Sequence, residues 1–162
     1  MAFNLKKLDI GLALLLMGLS LAPAQSHITA CPNCSMDVVQ DTKTQDNEVA
    51  IQYGRKRIEY RCIACAFAQA KTDYKNDLTI LAPSEIKGRP VLISRTAGKW
   101  SALPSTTVFV GENAGHEHCF AANRAFSSKA AFQTYIAAHH VLLGSVKPLT
   151  LAQMVALSGW AR

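Results

Sequence analysis

Two pairs of cysteines have the spacing of metal ligands: Cys31 and Cys34 are separated by Pro-Asn, and Cys62 and Cys65 by Ile-Ala. Two intervening residues let both sulfurs of a tight turn face one ion, and a second pair completes a tetrahedron around Zn²⁺. The pattern therefore predicts a four-cysteine metal site. Two alternatives stay open at this point, namely disulfide bonds within or between the pairs and a redox-active pair at the start of a helix.

Further candidate ligands lie beside the first pair and in the second half of the chain. Met36 follows Cys34 by two residues, and a thioether beside thiolates favours Cu(I) over Zn²⁺. His116, His118 and Cys119 fall within four residues, a set that suits zinc or copper. We predict a mixed site in which this loop approaches Cys34 and Met36. The alternative is a core methionine and an exposed polar loop.

The N-terminus has the layout of an export signal. Two lysines precede an apolar stretch at 10–22, which is shorter than a membrane span of roughly 20 residues, and small residues follow it. We therefore predict a signal peptide over residues 1–26 and a single domain over 27–162. All five cysteines lie in that domain, and their odd number argues against a framework made only of disulfides. Cys31, preceded by Ile-Thr-Ala, is an alternative site for a lipid anchor.

The chain is basic, with 17 Lys and Arg residues against 11 Asp and Glu and a formal net charge of +6. These residues are scattered, except for the run at 55–57, which falls at a predicted turn. We recognise no nucleic-acid-binding motif in the sequence and expect no nucleic-acid partner. An acidic partner or an anionic lipid surface is compatible with the charge.

Hydrophobic periodicity places the candidate ligands on an α+β scaffold. Alternating residues at 48–53 and 57–62 predict a hairpin, followed by a helix over 63–75 and a strand over 78–82. The second half repeats this order, so we predict two strand-strand-helix-strand units. The other predicted elements are strands at 91–95, 106–110, 124–126 and 141–146 and helices at 129–139 and 150–157, with 27–47 irregular.

The first candidate ligands also resemble the opening of known metal-binding families. Cys31-Pro-Asn-Cys34-Ser-Met36 is similar to the C-P-x-C-G-M opening of NosL, the copper-binding accessory protein of nitrous oxide reductase, and of the small YHS and TRASH domains. Ser35 stands where these families usually have glycine. The order of cysteine knuckle, hairpin and helix resembles a treble-clef zinc-binding fold in the first unit.

The resemblance to NosL extends over about residues 31–147, because 108–111 and 124–140 fit later parts of the NosL pattern. It implies that Cys34 and Met36 are Cu(I) ligands. It also implies a bacterial periplasmic protein that delivers metal to a partner, such as the copper enzyme nitrous oxide reductase.

We therefore expect an exported metal-binding protein, a chaperone for Cu(I) or Zn²⁺ that acts by ligand exchange and is not an enzyme. Two alternatives belong to other classes. One is an interaction module stabilised by disulfides, without metal. The other is a thiol enzyme that uses Cys119, related to organomercurial lyase, whose fold resembles that of NosL.

Overall fold

The computed structural model describes residues 28–39, 48–110, 124–138 and 146–157. The predicted signal peptide lies outside these ranges. Within them the chain forms, in order, β1 (Ile28–Ala30), β2 (Asp37–Val39), β3 (Val49–Tyr53), β4 (Lys56–Tyr60), α1 (Ile63–Thr72), β5 (Leu78–Ala82), β6 (Val91–Thr96), β7 (Lys99–Leu103), β8 (Val108–Val110), β9 (Arg124–Phe126), α2 (Lys129–Ala138), β10 (Pro148–Leu149) and α3 (Leu151–Leu157). This combination of antiparallel sheets and helices is the predicted α+β class.

The largest sheet of the described residues has five antiparallel strands in the order β4-β3-β5-β6-β7. Ile51, Ile80 and Ile93 lie directly opposite one another on its three central strands, and all three are fully buried. Cross-strand neighbours of this kind form a continuous apolar row. The row belongs to the same buried cluster as α1, so the sheet and the helix share one core.

Helix α1 joins the two halves of the domain through an aromatic side chain. Phe67 is fully buried, and its ring lies 4.8 Å from that of Trp100 on β7 and 6.4 Å from that of Phe109 on β8. Strand β8 belongs to the second large sheet, which has the order β10-β8-β9. The helix that carries Cys65 is therefore held by both sheets.

The predicted repeat of strand-strand-helix-strand is present in the topology. In the first unit β3 pairs with β4 before α1 and with β5 after it. In the second unit β8 pairs with β9 before α2 and with β10 after it. All four pairings are antiparallel, so the two units share one strand order, although β6 and β7 extend the first sheet.

The predicted helix over 63–75 is too long, because α1 ends at Thr72. Arg95 of β6 accounts for the difference. Its guanidinium donates hydrogen bonds to the carbonyls of Tyr74 at 2.6 Å and Asn76 at 2.8 Å. Those carbonyls face the arginine, and the chain turns around it into β5.

Three short strands differ from the sequence prediction. Residues 27–47 are predicted to be irregular, yet β1 and β2 form a two-stranded sheet there. Strand β7, also unpredicted, lies at the edge of the large sheet. Three-residue strands and a partly exposed edge strand show too little alternation for periodicity to detect. The strand predicted at 141–146 falls largely outside the described residues, and β10 follows it at Pro148–Leu149.

In the part of the chain that the structure describes, no helix combines the length and apolar character needed to cross a membrane.

Candidate metal centre

The first cysteine pair lies on a knuckle closed by β1 and β2. The backbone N–H of Cys31 donates to the Met36 carbonyl at 2.9 Å, and that of Ser35 donates to the Cys31 carbonyl at 2.8 Å. Ser35 has φ of 61°, in the left-handed region that favours glycine. The turn therefore needs a conformation that glycine adopts readily, and serine adopts it here.

The second cysteine pair begins α1. Cys62 is the N-cap in an extended conformation, with φ −153° and ψ 168°, and its Sγ accepts the backbone N–H of Cys65 at 3.4 Å. The Cys62 carbonyl accepts the first helical hydrogen bond, from the N–H of Ala66 at 3.2 Å. The cap thus fixes Cys65 in the first turn of the helix, where the partial positive charge of the helix end stabilises thiolate.

The two pairs meet in the core. The Sγ atoms of Cys31, Cys34 and Cys65 all lie within 4.8 Å of one another, and all three side chains are buried. Sulfurs around a tetrahedral Zn²⁺ with bonds of about 2.3 Å are about 3.8 Å apart, so small side-chain rotations would bring these three onto one ion. Three buried cysteines that converge in this way could hold a metal ion.

Cys62 lies beside this group without belonging to it. Its Sγ is 3.5 Å from that of Cys65, but it is not one of the three sulfurs that all lie within 4.8 Å of one another. No disulfide is present among the four described cysteines. Cys62 is the cap of α1, whereas Cys65 lies in the first helical turn.

Two of the clustered thiols, Cys31 and Cys34, have different pKa values. A hydrogen bond with the Cys65 side chain lowers the pKa of Cys31 to about 5, with burial opposing and the backbone N–H groups of Arg61, Asn33 and Cys34 adding to the decrease. Burial raises the pKa of Cys34, and the negative charge on Cys31 raises it further. At neutral pH the site therefore contains a thiolate at Cys31 beside a protonated thiol at Cys34.

The surroundings of the knuckle are partly polar. Met36 is partly buried and packs against the core cluster that contains the cysteines. The guanidinium of Arg61 donates to the Asp37 carbonyl at 3.3 Å, which joins the end of the hairpin to the knuckle. The Nδ2 atom of Asn33 is buried and has no hydrogen-bond partner among the described residues.

Three of the predicted ligands lie outside the described residues. His116, His118 and Cys119 fall in the segment 111–123. Their approach to Cys34 and Met36 remains a prediction.

Comparisons with known proteins add a likeness of fold. No family model and no curated protein sequence matches this chain. Among solved structures, the crystal structure of the mercury-bound form of MerB2 is similar to it, with a TM-score of 0.54 and 18% sequence identity. The match covers 68% of this chain and 55% of that one, so this chain spans little more than half of that protein's length. At this identity the likeness concerns the fold alone.

Proposed function

We propose that this protein binds a soft metal ion through Cys31, Cys34 and Cys65 and passes it to a partner by ligand exchange. The observation that supports the proposal is the convergence of three buried sulfurs within 4.8 Å of one another. They come from two backbone segments, a knuckle and a helix start. The proposal assigns no ligand role to Cys62, whose Sγ lies 3.5 Å from that of Cys65 but is not one of the three grouped sulfurs.

The donor set favours Cu(I) first and Zn²⁺ second. Thiolates are soft ligands that select Cu(I) and zinc, whereas hard cations such as Mg²⁺ prefer oxygen. The partly buried thioether of Met36 packs against the same cluster and is a ligand suited to Cu(I). Cys31 is already ionised at neutral pH, so binding requires less loss of protons than three ordinary thiols would.

The number of cysteine ligands in the proposed site supports transfer of the metal ion over its storage. A closed site of four cysteines leaves no position for another ligand and is structural, whereas three cysteines leave the fourth position to an exchangeable ligand such as the Met36 thioether. A ligand of the recipient would occupy that position before the cysteines release the ion. The protein would thus be an exported, NosL-like chaperone, not an enzyme, and its recipient a periplasmic copper protein such as nitrous oxide reductase.

The proposal is tested by metal content and affinity. Protein prepared without oxygen should bind one equivalent of Cu(I) or Zn²⁺ in competition with a chromophoric chelator. Cys65→Ser removes the sulfur that joins the helix to the knuckle and should weaken binding by at least about tenfold, or about 1.4 kcal/mol. Cys119→Ser tests separately the thiol ligand that the sequence predicts in the segment 111–123. Equal affinity of Cys65→Ser and the wild type would refute the site.

A second candidate function is a thiol enzyme acting on a soft metal bonded to carbon, related to organomercurial lyase. The likeness of fold to the mercury-bound MerB2 favours it, together with a thiolate and a thiol side by side at Cys31 and Cys34. In such a reaction a thiolate binds the metal, and a thiol proton goes to carbon as the metal–carbon bond breaks. Incubation with phenylmercury and detection of benzene would distinguish this enzyme from a chaperone, which releases none.

A further inference from the structure

Cys62 is a fully buried thiol that the proposed three-sulfur site does not use. Its Sγ is 3.5 Å from the Sγ of Cys65, which is one of the three clustered cysteines. A sulfur so close to a metal ligand, yet outside the group of three, is placed to react with that ligand.

We propose that Cys62 is a resolving thiol, which forms a reversible disulfide with Cys65 and thereby releases the bound ion. The inference rests on the proposed metal site and concerns its control. Formation of the disulfide would leave Cys31 and Cys34 as the remaining sulfur ligands of the group. The protein would then hold its ion in reducing conditions and give it up on oxidation.

The backbone already has the geometry that this disulfide needs. The N-cap and third residue of a helix have Cα atoms about 5 Å apart, from the rise and radius of the α-helix. That separation lies within the range of roughly 4.4–6.8 Å that disulfides accept. The sulfurs need only approach from 3.5 Å to a bond of about 2.05 Å, which side-chain rotation supplies.

An oxidant that itself contains a disulfide can reach this pair through the cluster. Cys34 is the most exposed of the four, at 8%, while Cys62 and Cys65 are fully buried. Cys34, which is ionised when it binds the metal, attacks the oxidant as a thiolate, forms a mixed disulfide and releases a first thiol. Cys65 then attacks the Cys34 sulfur and releases the second thiol of the oxidant. Finally Cys62 attacks the Cys65 sulfur and returns Cys34 to its free state.

The exchange balances without another reactant. Two protein thiols, those of Cys62 and Cys65, are oxidised to one disulfide, and two electrons reduce the oxidant's disulfide to two thiols. In the metal-free protein the two protons of these thiols pass to the two products; in the metal-loaded protein Cys65 holds no proton, so Cys62 supplies one proton and water supplies the other. When a metal ion is bound to the Cys65 thiolate, that sulfur passes from the ion to the new S–S bond, and the ion is released.

The test uses the full chain loaded with Zn²⁺, which is not itself oxidised. Oxidised glutathione is added, released zinc is followed with a chromophoric chelator, and the disulfide is located by differential alkylation and peptide mass spectrometry. Cys62→Ser is the matched variant, because a serine oxygen can accept the Cys65 N–H and preserve the helix cap. Circular dichroism checks that the variant is folded.

We expect the wild type to release its zinc with a disulfide between Cys62 and Cys65, and to bind zinc again after reduction. Cys62→Ser should bind zinc with an affinity within about threefold of the wild type, and oxidation should leave it with a disulfide between Cys34 and Cys65, because no Cys62 thiol is present to attack the Cys65 sulfur. A disulfide between Cys31 and Cys34 instead would overturn the proposal. So would loss of zinc binding in Cys62→Ser, since Cys62 would then be a ligand. A wild type that binds no zinc refutes the proposed function, while the disulfide map still tests the pairing.

Discussion

Cys31 and Cys65 belong to different parts of the fold, yet their sulfurs lie within 4.8 Å of each other and share a hydrogen bond. Cys31 follows β1, and Cys65 lies in the first turn of α1. The contact exists only when the helix is seated against the knuckle. Metal binding and the packing of α1 are therefore expected to be coupled.

Stability of the metal-free protein should depend on pH through Cys31. Its pKa is lowered from 9.0 to about 5 in the folded chain, so the unfolded state binds more protons between those values. The stabilising contribution is complete above pH 9 and is lost as the pH falls toward 5. Urea unfolding across this range should show stability decreasing with acidification, and Cys31→Ser should remove that part of the slope.

The same difference between Cys31 and Cys34 predicts the pH dependence of metal uptake. Burial keeps Cys34 protonated at neutral pH, and a thiol must lose its proton to become a ligand. Affinity for Zn²⁺ should therefore increase from pH 6 to pH 8, and uptake should acidify a weakly buffered solution. Cys34→Ser should release fewer protons on binding. Proton release equal to that of the wild type would show that Cys34 is not ionised by the metal.

Replacement of Met36 should separate copper from zinc. Leucine is similar in volume, so Met36→Leu preserves the packing against the core cluster and removes only the thioether. We expect Cu(I) affinity to fall by about tenfold and Zn²⁺ affinity to stay unchanged, because zinc does not favour a thioether. Competition titrations with both ions on the same preparation measure this. An equal change for both ions would assign Met36 a role in packing only.

The hairpin and the helix could be predicted because their signals are local. Residues 49–60 alternate in polarity around a turn at Gly54, and the following segment has helical periodicity. The meeting of the two cysteine pairs follows from that order of elements, since the knuckle precedes the hairpin and the helix begins where the hairpin ends. The spacing of the cysteines and the order of the elements are therefore enough to predict that the two pairs meet.

The position of each sulfur could not be obtained from spacing. The four cysteines form two identical C-x-x-C patterns, but Cys62 becomes a helix cap while Cys65 joins the cluster. This asymmetry depends on how α1 packs against the sheet, which is a tertiary property. The end of α1 likewise depends on Arg95, a residue distant in sequence whose guanidinium donates to the carbonyl of Ala70 in the helix and to that of Tyr74 just after it.

Ser35→Gly should stabilise the knuckle. A residue other than glycine in the left-handed region costs roughly 1–2 kcal/mol, and Ser35 has φ of 61°. Glycine loses more entropy on folding, so we expect a net gain of about 0.5–1 kcal/mol in the free energy of unfolding. Ser35→Val is the opposing control, because a β-branched residue is strained there and should destabilise the fold. Denaturant titrations of both variants would contradict this account if valine were tolerated as well as glycine.

Truncation of Phe67 should weaken the fold and the metal site together. Its fully buried ring contacts the rings of Trp100 and Phe109, so Phe67→Ala should cost about 3–5 kcal/mol and Phe67→Leu considerably less. Because Phe67 is on the helix that carries Cys65, saturating Zn²⁺ should recover part of this loss by binding only the folded state. Gln52→Ala, at an exposed position, is the control. Thermal unfolding with and without zinc measures both effects. If zinc raised the Tm of neither the wild type nor the variants, the cysteine cluster would not be a zinc site.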